Sequence, residues 1–250
     1  MATTNTSLAQ APDSDSSSSI GRVFGALFSP GRTFRSIARR PTWLVPVLLI
    51  TILELGVVAT FSHRVGFRSL LEKQFQNNSR VQQMTAAQQQ QTMQTSLKYA
   101  SVVAYAEMIV GPVLVVLIAA AIYLATFNLL GGTQLKFSTS LGIVSYASTP
   151  IIISSLLGLV ILFLKDPSTV DLQNLVASNP GVFLSSDSPQ WLLALLRSFD
   201  VFSFWVMALL AIGYSAAAPK KLSFGKAFFY IFAVWFLVIL IRVGATAAFS

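Results

Sequence analysis

Long apolar segments alternate with shorter polar ones along most of the chain after residue 41. An apolar helix of roughly 20 residues spans the hydrocarbon core of a bilayer. Prolines fall inside three of these segments, which spanning helices tolerate when their neighbours satisfy the freed backbone groups. The pattern therefore predicts an all-α integral membrane bundle of five transmembrane helices. The predicted spans cover residues 43–61, 101–130, 139–164, 199–218 (with 191–196 leading into it) and 227–249.

Two different patterns precede the first predicted span. Residues 1–19 are rich in Ser, Thr, Asp and Ala, which predicts a disordered polar tail. Residues 20–41 place apolar side chains at helical spacing among arginines, and Ser29–Pro30 predicts the start of a second helix. Such a basic amphipathic segment is typical of one that lies in the membrane interface. The residues predicted to face the lipid interface are Arg22, Phe24, Phe28, Arg32, Phe34, Arg35, Arg39 and Arg40.

The composition agrees with a membrane protein and excludes several chemistries. Charged residues make up 10% of the chain and hydrophobic ones 54%, whereas soluble domains carry about 25% charged residues. The net charge is +8, and the basic residues lie beside apolar segments, which favours anionic lipid over nucleic acid as the partner. With no cysteine and a single histidine, His63, the sequence predicts no enzyme, cofactor or metal site.

The distribution of Lys and Arg outside the spans predicts the orientation. Dense basic residues occur before the first span and in the short loop after the fourth, which places these parts in the cytoplasm. The N-terminus is then cytoplasmic and the C-terminus outside. The two outer loops are expected to contain short helices, at about 64–98, where Thr85 and Gln88 form a capping-box pattern, and at about 166–196, part of which is apolar enough to lie along the membrane.

Charged residues within the predicted spans are the sharpest local signal. A charge at the centre of a bilayer costs about 2.5–3.5 kcal/mol on insertion scales. We expect a polar cluster between helices in the outer half of the membrane, with Arg242 paired to one of the carboxylates. Two interpretations remain open, salt bridges that fix the packing, which we favour, and a proton or cation site. The predicted members are Glu54, Glu107, Arg197, Asp200 and Arg242.

Two further positions predict local structure near residue 130. Gly131–Gly132 follows no strand and precedes no Lys-Ser pair, so it predicts the end of a helix rather than a phosphate-binding loop. Asn128 lies just before it, near the cytoplasmic end of the second span, and we expect its amide to bond a neighbouring helix.

Four motifs in a fixed order resemble bacterial members of the Yip family of membrane proteins. They are FSPGRTFRSIARRP (28–41), LLGGTQLKF (129–137), SYASTP with its Tyr-x-x-x-Pro (145–150) and DLQNLVASNPGVFL (171–184). The resemblance implies a five-span Yip-like membrane domain over residues 42–250 with a cytosolic N-terminus. It also implies a location in the bacterial inner membrane.

Eukaryotic Yip proteins bind small Rab-type GTPases, and the acidic Gly-Pro motif near their second span is matched here only by Glu107 with Gly111 and Pro112. The resemblance therefore implies fold and topology rather than GTPase binding. We expect a non-enzymatic membrane protein that organises membrane or recruits a protein partner at its cytoplasmic face. The alternative is a transporter or permease subunit that moves protons or small solutes through the charge cluster.

Overall fold

The computed structural model describes residues 18–76, 78–170, 174–185 and 188–249. Within these ranges the chain forms α-helices and short 3₁₀ turns and no strand, which confirms the predicted all-α class. Most of the predicted polar tail, residues 1–17, lies outside the described residues. The helices are α1 (Ser19–Phe28), α2 (Pro30–Arg39), α3 (Leu44–Arg64), α4 (Phe67–Gln76), α5 (Ser79–Gln82), α6 (Ala86–Leu129), α7 (Phe137–Ala147), α8 (Pro150–Leu164), α9 (Gln190–Ser198), α10 (Val201–Ala217) and α11 (Phe224–Phe249).

Four helical segments are each long and apolar enough to cross a membrane: α3, α6, the α7–α8 pair and α11. Helices α9 and α10 make a fifth span if they are counted together, and they meet at a bend of 46°. The predicted multi-span bundle is therefore confirmed, with the fourth predicted span present as this bent pair.

The prolines act differently in different spans. Pro150 is the first residue of α8 and separates it from α7, because a residue without an N–H is tolerated at the first helical position. Pro46 lies in the first turn of α3, where the N–H groups have no helical acceptor in any case. Pro112 lies inside α6, which continues through it.

Helix α6 is much longer than the predicted second span. The capping box of Thr85 and Gln88 is confirmed, but the helix that it starts is α6 itself and not a separate outer helix, so that prediction was wrong. At 44 residues, α6 is about 66 Å long, roughly twice the thickness of the hydrocarbon core. Residues 86–100 contain no glycine or proline and are mostly good helix formers, so no local signal ends the helix at the membrane surface.

The two short N-terminal helices are packed into one end of the bundle. We call this the cap end; it is where α3 and α11 begin and where α6 and α10 finish. Helix α2 packs against α10 and α7, and α1 contacts α2, α3 and α7. Phe34 and Ile37 of α2 are completely buried. A Cβ on Gly213 of α10 would lie 3.0 Å from the Phe34 ring, so the glycine permits the close approach of the two helices.

This packing corrects two of the predicted lipid-interface residues. Phe34 lies inside the protein rather than among lipid headgroups. Arg22 is only 6% exposed, and its guanidinium donates through Nη1 to the carbonyl oxygen of Arg40 at 2.8 Å. The reason is that an amphipathic helix buries its apolar face equally well against protein or lipid. The other six predicted residues, Phe24, Phe28, Arg32, Arg35, Arg39 and Arg40, are exposed.

Hydrogen bonds of buried hydroxyl groups link the helices at the cap end. The Tyr146 hydroxyl lies 3.0 Å from Oγ1 of Thr42 and donates to the carbonyl oxygen of Ser19 at 3.3 Å. Ser140 donates to the Ala120 carbonyl oxygen at 2.7 Å and contacts the Tyr214 hydroxyl. The Tyr-x-x-x-Pro motif therefore places its tyrosine where α1, α7 and the α2–α3 connection meet.

The LLGGTQLKF motif forms a closed loop after α6. Asn128 accepts from the backbone N–H of Leu135 at 2.9 Å and donates to its carbonyl oxygen at 3.1 Å. The prediction that Asn128 bonds a neighbouring helix was therefore wrong, since the loop is near enough in sequence to satisfy the amide first. Gly132 has φ +64°, a conformation that favours glycine, and the predicted helix end at Gly131–Gly132 is confirmed.

Candidate functional site

A polar cavity of about 400 Å³ opens in the distal half of the bundle, away from α1 and α2. Its walls come from α3, α6, α8, α9 and the connection between α8 and α9, together with the residue that precedes α10. The apolar part includes Val57, Val58, Leu175 and Val176. The polar and charged lining residues are Glu54, Ser154, Ser155, Asn174, Ser178, Arg197 and Asp200.

Glu54 contributes a carboxylate at the midpoint of α3, about 15 Å from either end of the helix. The Ser155 hydroxyl lies 2.5 Å from Oε1 of Glu54 and 2.8 Å from the carbonyl oxygen of Ile151. Oε2 of Glu54 accepts no hydrogen bond from the part of the chain that the structure describes. The cavity therefore contains one carboxylate oxygen whose bonding capacity the described residues do not use.

Asp200 has a different role, because both of its oxygens are engaged. Oδ1 accepts from the backbone N–H groups of Phe202 at 2.8 Å and Ser203 at 3.3 Å, and Oδ2 accepts from the Ser178 hydroxyl. The positive end of the α10 dipole also favours a carboxylate here. Asp200 therefore caps the start of α10 and holds Ser178, in the connection between α8 and α9, against it.

The connection between α8 and α9 folds back onto the bundle and closes one side of the cavity. A Cβ on Gly158 of α8 would lie 3.0 Å from Cδ2 of Leu175. A Cβ on Gly181 would lie 2.8 Å from Cγ of Arg197, so the connection also lies directly on α9. The described part of this segment, 174–184, thus packs on α8 and α9, and its position along the membrane stays a prediction. Residues 171–173 are outside the described ranges.

The structure brings together three of the five residues of the predicted charge cluster. Glu54, Arg197 and Asp200 line the cavity, whereas Glu107 and Arg242 are exposed on the outside of the bundle. Among the described residues Arg242 forms no ion pair with any of the three carboxylates, so the predicted pairing was wrong. The membrane-spanning part of α6, from about residue 101, and α11 are apolar on nearly all sides, and their sequences therefore do not determine which side faces the bundle.

Sequence reasoning missed the neutral polar residues of the cavity. Ser154 and Ser155 form a pair inside the otherwise apolar α8, a signal that points to a polar neighbour on another helix. Asn174 and Ser178 give no such signal, because polar residues are ordinary in a loop. They reach the cavity only because the loop folds back.

A second exposed feature lies at the cap end, which we call the cap surface. Ile20, Phe24 and Phe28 form one stripe along α1 and are 59%, 59% and 79% exposed. An arginine stripe follows on the neighbouring α2, at Arg32, Arg35 and Arg39, with Arg40 directly after it. The inner faces of both helices are buried, so the two stripes are held in a fixed relation.

The helices and their exposed apolar sides define a multi-pass membrane protein. Residues 24–245 match the family model for the Yip1 domain, and the chain belongs to this family, as the four sequence motifs predicted. The chain matches none of the curated proteins and none of the solved structures with which it was compared. The described residues contain no group of three or more His, Cys, Asp or Glu side chains arranged to hold a metal ion.

Proposed function

We propose that this Yip1-family protein acts without catalysis, by binding the anionic cytoplasmic leaflet through its cap surface and so organising the membrane around it. The observation that carries the proposal is the exposed apolar stripe of α1, which includes Phe24 and Phe28, together with the exposed arginines of the neighbouring α2. Aromatic side chains favour the headgroup region, and arginines near an anionic surface contribute about 1 kcal/mol each.

The rigid mounting of the cap surface supports this role. Phe34 and Ile37 are buried between the helices, and Arg22 links α1 to the backbone at Arg40. A surface that is ordered before binding loses less conformational entropy when it meets its partner. Its affinity for lipid is therefore higher than that of the same residues on a flexible tail.

The distribution of charge supports a cytoplasmic position for the cap end. Lys136 lies between α6 and α7, and Lys220 and Lys221 lie between α10 and α11. These connections end at the same side of the bundle as the arginines of α2. Short basic loops on one side of a membrane protein favour the cytoplasm, where the anionic leaflet is.

The test uses the full-length protein in nanodiscs that contain phosphatidylcholine and phosphatidylglycerol. Native mass spectrometry of the released protein gives the number of phosphatidylglycerol molecules that stay bound. Replacing Arg32, Arg35, Arg39 and Arg40 by glutamine should weaken phosphatidylglycerol retention at least tenfold, because all four arginines of the cap surface are lost. Arg68→Gln, on the exposed part of α4, is the matched control and should have no effect.

Unchanged retention in the four-site variant would refute the lipid-binding role. Crosslinking in native membranes then tests the other use of the same surface. A protein that is captured by the wild type and lost in the four-site variant would indicate that the cap surface recruits a partner instead.

Transport is a second candidate, which the distal cavity supports. Against it stand the completely buried Phe127, Tyr146 and Tyr214, whose large side chains pack in the apolar core of the cap end. The test is a proton or solute flux into vesicles that contain the purified protein. Flux that is abolished by Glu54→Gln and retained in Glu107→Gln would support transport, and no flux in the wild type would exclude it for the solutes tested.

A further inference from the structure

We infer that the distal cavity binds one small organic cation, a primary ammonium group on a short apolar carrier, with the carboxylate of Glu54 as its anchor. The cap-surface function does not include this site. The inference supplies a substrate class for the transport candidate. Only movement of the ligand across the membrane rests on that candidate, because binding to the cavity can be measured without flux.

The bonding of the carboxylates indicates where a cation would sit. Asp200 uses both oxygens to start α10 and to hold Ser178. Glu54 uses one oxygen toward Ser155, and Oε2 remains without a partner among the described residues. A carboxylate at the centre of a membrane protein is unfavourable unless a cation or hydrogen-bond donors compensate it. An ammonium group supplies both, with three N–H donors and a positive charge.

The size of the cavity favours an organic ligand over a bare ion. Its volume of about 400 Å³ lies within the range of small-molecule sites, roughly 300–1,000 Å³, and is more than ten times the roughly 30 Å³ that a water molecule occupies in the liquid. A metal ion would need several anionic or carbonyl ligands closing around it. No group of three or more His, Cys, Asp or Glu side chains that could hold such an ion occurs in the part of the chain that the structure describes.

The lining indicates the rest of the ligand. Val57, Leu175 and Val176 provide an apolar wall, and Ser154 and Asn174 provide neutral polar groups. This mixture suits a short hydrocarbon segment attached to the ammonium group. With Glu54 and Asp200 against Arg197, the formal charge of the lining is negative by one unit, which matches a single positive charge on the ligand.

The same ammonium chemistry occurs in two sources, a free amine and the headgroup of a lipid such as phosphatidylethanolamine. Both are tested on the full-length purified protein. Isothermal titration with ethanolamine measures the soluble source. Native mass spectrometry from nanodiscs of equal phosphatidylethanolamine and phosphatidylcholine measures the lipid source. We expect the wild type to bind at least one of the two.

The matched variants are Glu54→Gln and Glu107→Gln, which remove the same charge inside and outside the cavity. Glu54→Gln should weaken the binding of ethanolamine or phosphatidylethanolamine at least tenfold, and Glu107→Gln should leave it unchanged. Ser154→Leu is a second variant that fills the cavity while retaining Glu54, and it should weaken binding even if Glu54→Gln does not fold.

Binding of neither probe to the wild type would overturn the inference. Equal weakening by Glu54→Gln and Glu107→Gln would do the same, because the effect would then not depend on the cavity. Binding that follows Glu54 without any flux in the vesicle assay would support the site and exclude only the transport candidate for that ligand.

Discussion

The cap end and the distal end of the bundle share several of their helices but are packed in opposite ways. At the cap end, Phe34, Tyr146 and Tyr214 are completely buried in the larger apolar cluster of the bundle. At the distal end, a smaller apolar cluster around Phe61 and Leu162 lies beside an open polar cavity. The comparison indicates that the cap end supplies most of the packing stability. The distal end can therefore contain a cavity lined by charged residues.

The difference in packing between the two ends follows from the course of α9 and α10 through the bundle. Near its cap end, α10 carries Gly213, which allows α2 and α7 to approach closely. At the distal end, the 46° bend between α9 and α10 and the folded-back connection hold the helices apart around the cavity. Small residues permit close helix contact in membranes, whereas a break in a helix leaves room beside it.

The strongest test of the packed cap end is Phe34→Ala. A completely buried phenylalanine leaves a large cavity when it is truncated, so the free energy of unfolding should fall by about 3–5 kcal/mol. The matched control is Phe28→Ala on the exposed stripe of α1, which should change it by less than about 0.5 kcal/mol. Denaturant titration of the detergent-solubilised protein measures both. Equal effects would mean that Phe34 also faces lipid.

Gly213→Ala tests the same contact between α2 and α10 by adding volume instead of removing it. The added Cβ would lie 2.5 Å from Cγ2 of Ile143, so α7 and α2 have to shift. Overpacking of this kind costs about 1–3 kcal/mol. Gly225→Ala in α11, where nothing lies within 4 Å, should be neutral or slightly stabilising in the same titration. A stable Gly213→Ala variant would show that the approach is looser than described.

Tyr214→Phe removes one buried hydroxyl and leaves the ring in place. Its contact with Ser140 is lost, while Ser140 still donates to Ala120. The expected cost is about 0.5–1.5 kcal/mol, the net contribution of one buried hydrogen bond. Tyr99→Phe, at an exposed position of α6, is the control and should leave the unfolding curve unchanged. A similar loss in both variants would argue against the buried hydroxyl network.

The smallest expected effect is that of Arg242→Gln at the distal end of α11. The side chain is exposed and pairs with none of the described carboxylates, so the free energy of unfolding should change by less than about 0.5 kcal/mol. Removing one partner from a buried ion pair would instead cost about 3–5 kcal/mol. A loss of that size would indicate that Arg242 does form the ion pair that the sequence alone predicts.

Local signals predicted the features that depend on neighbouring residues. The Thr85–Gln88 capping box and the helix end at Gly131–Gly132 were predicted correctly, because each is formed within a few positions of the chain. The charge cluster was only partly right. The depth of Glu54 follows from its position in α3, but the rotation of α6 and α11, which places Glu107 and Arg242 outside, depends on contacts between helices.

The sequence by itself determined that this chain is a helical multi-span membrane protein, because the length of an apolar segment is a property of the chain that decides whether it can cross a bilayer. The family came from a different signal, the four motifs and the match of residues 24–245 to the Yip1 domain. Only the tertiary structure decided which apolar and charged side chains face protein. Phe34 and Arg22 turn into the bundle while Phe24 and Phe28 remain exposed, since an apolar face is buried as favourably against a helix as against lipid and only the neighbouring surface selects between them.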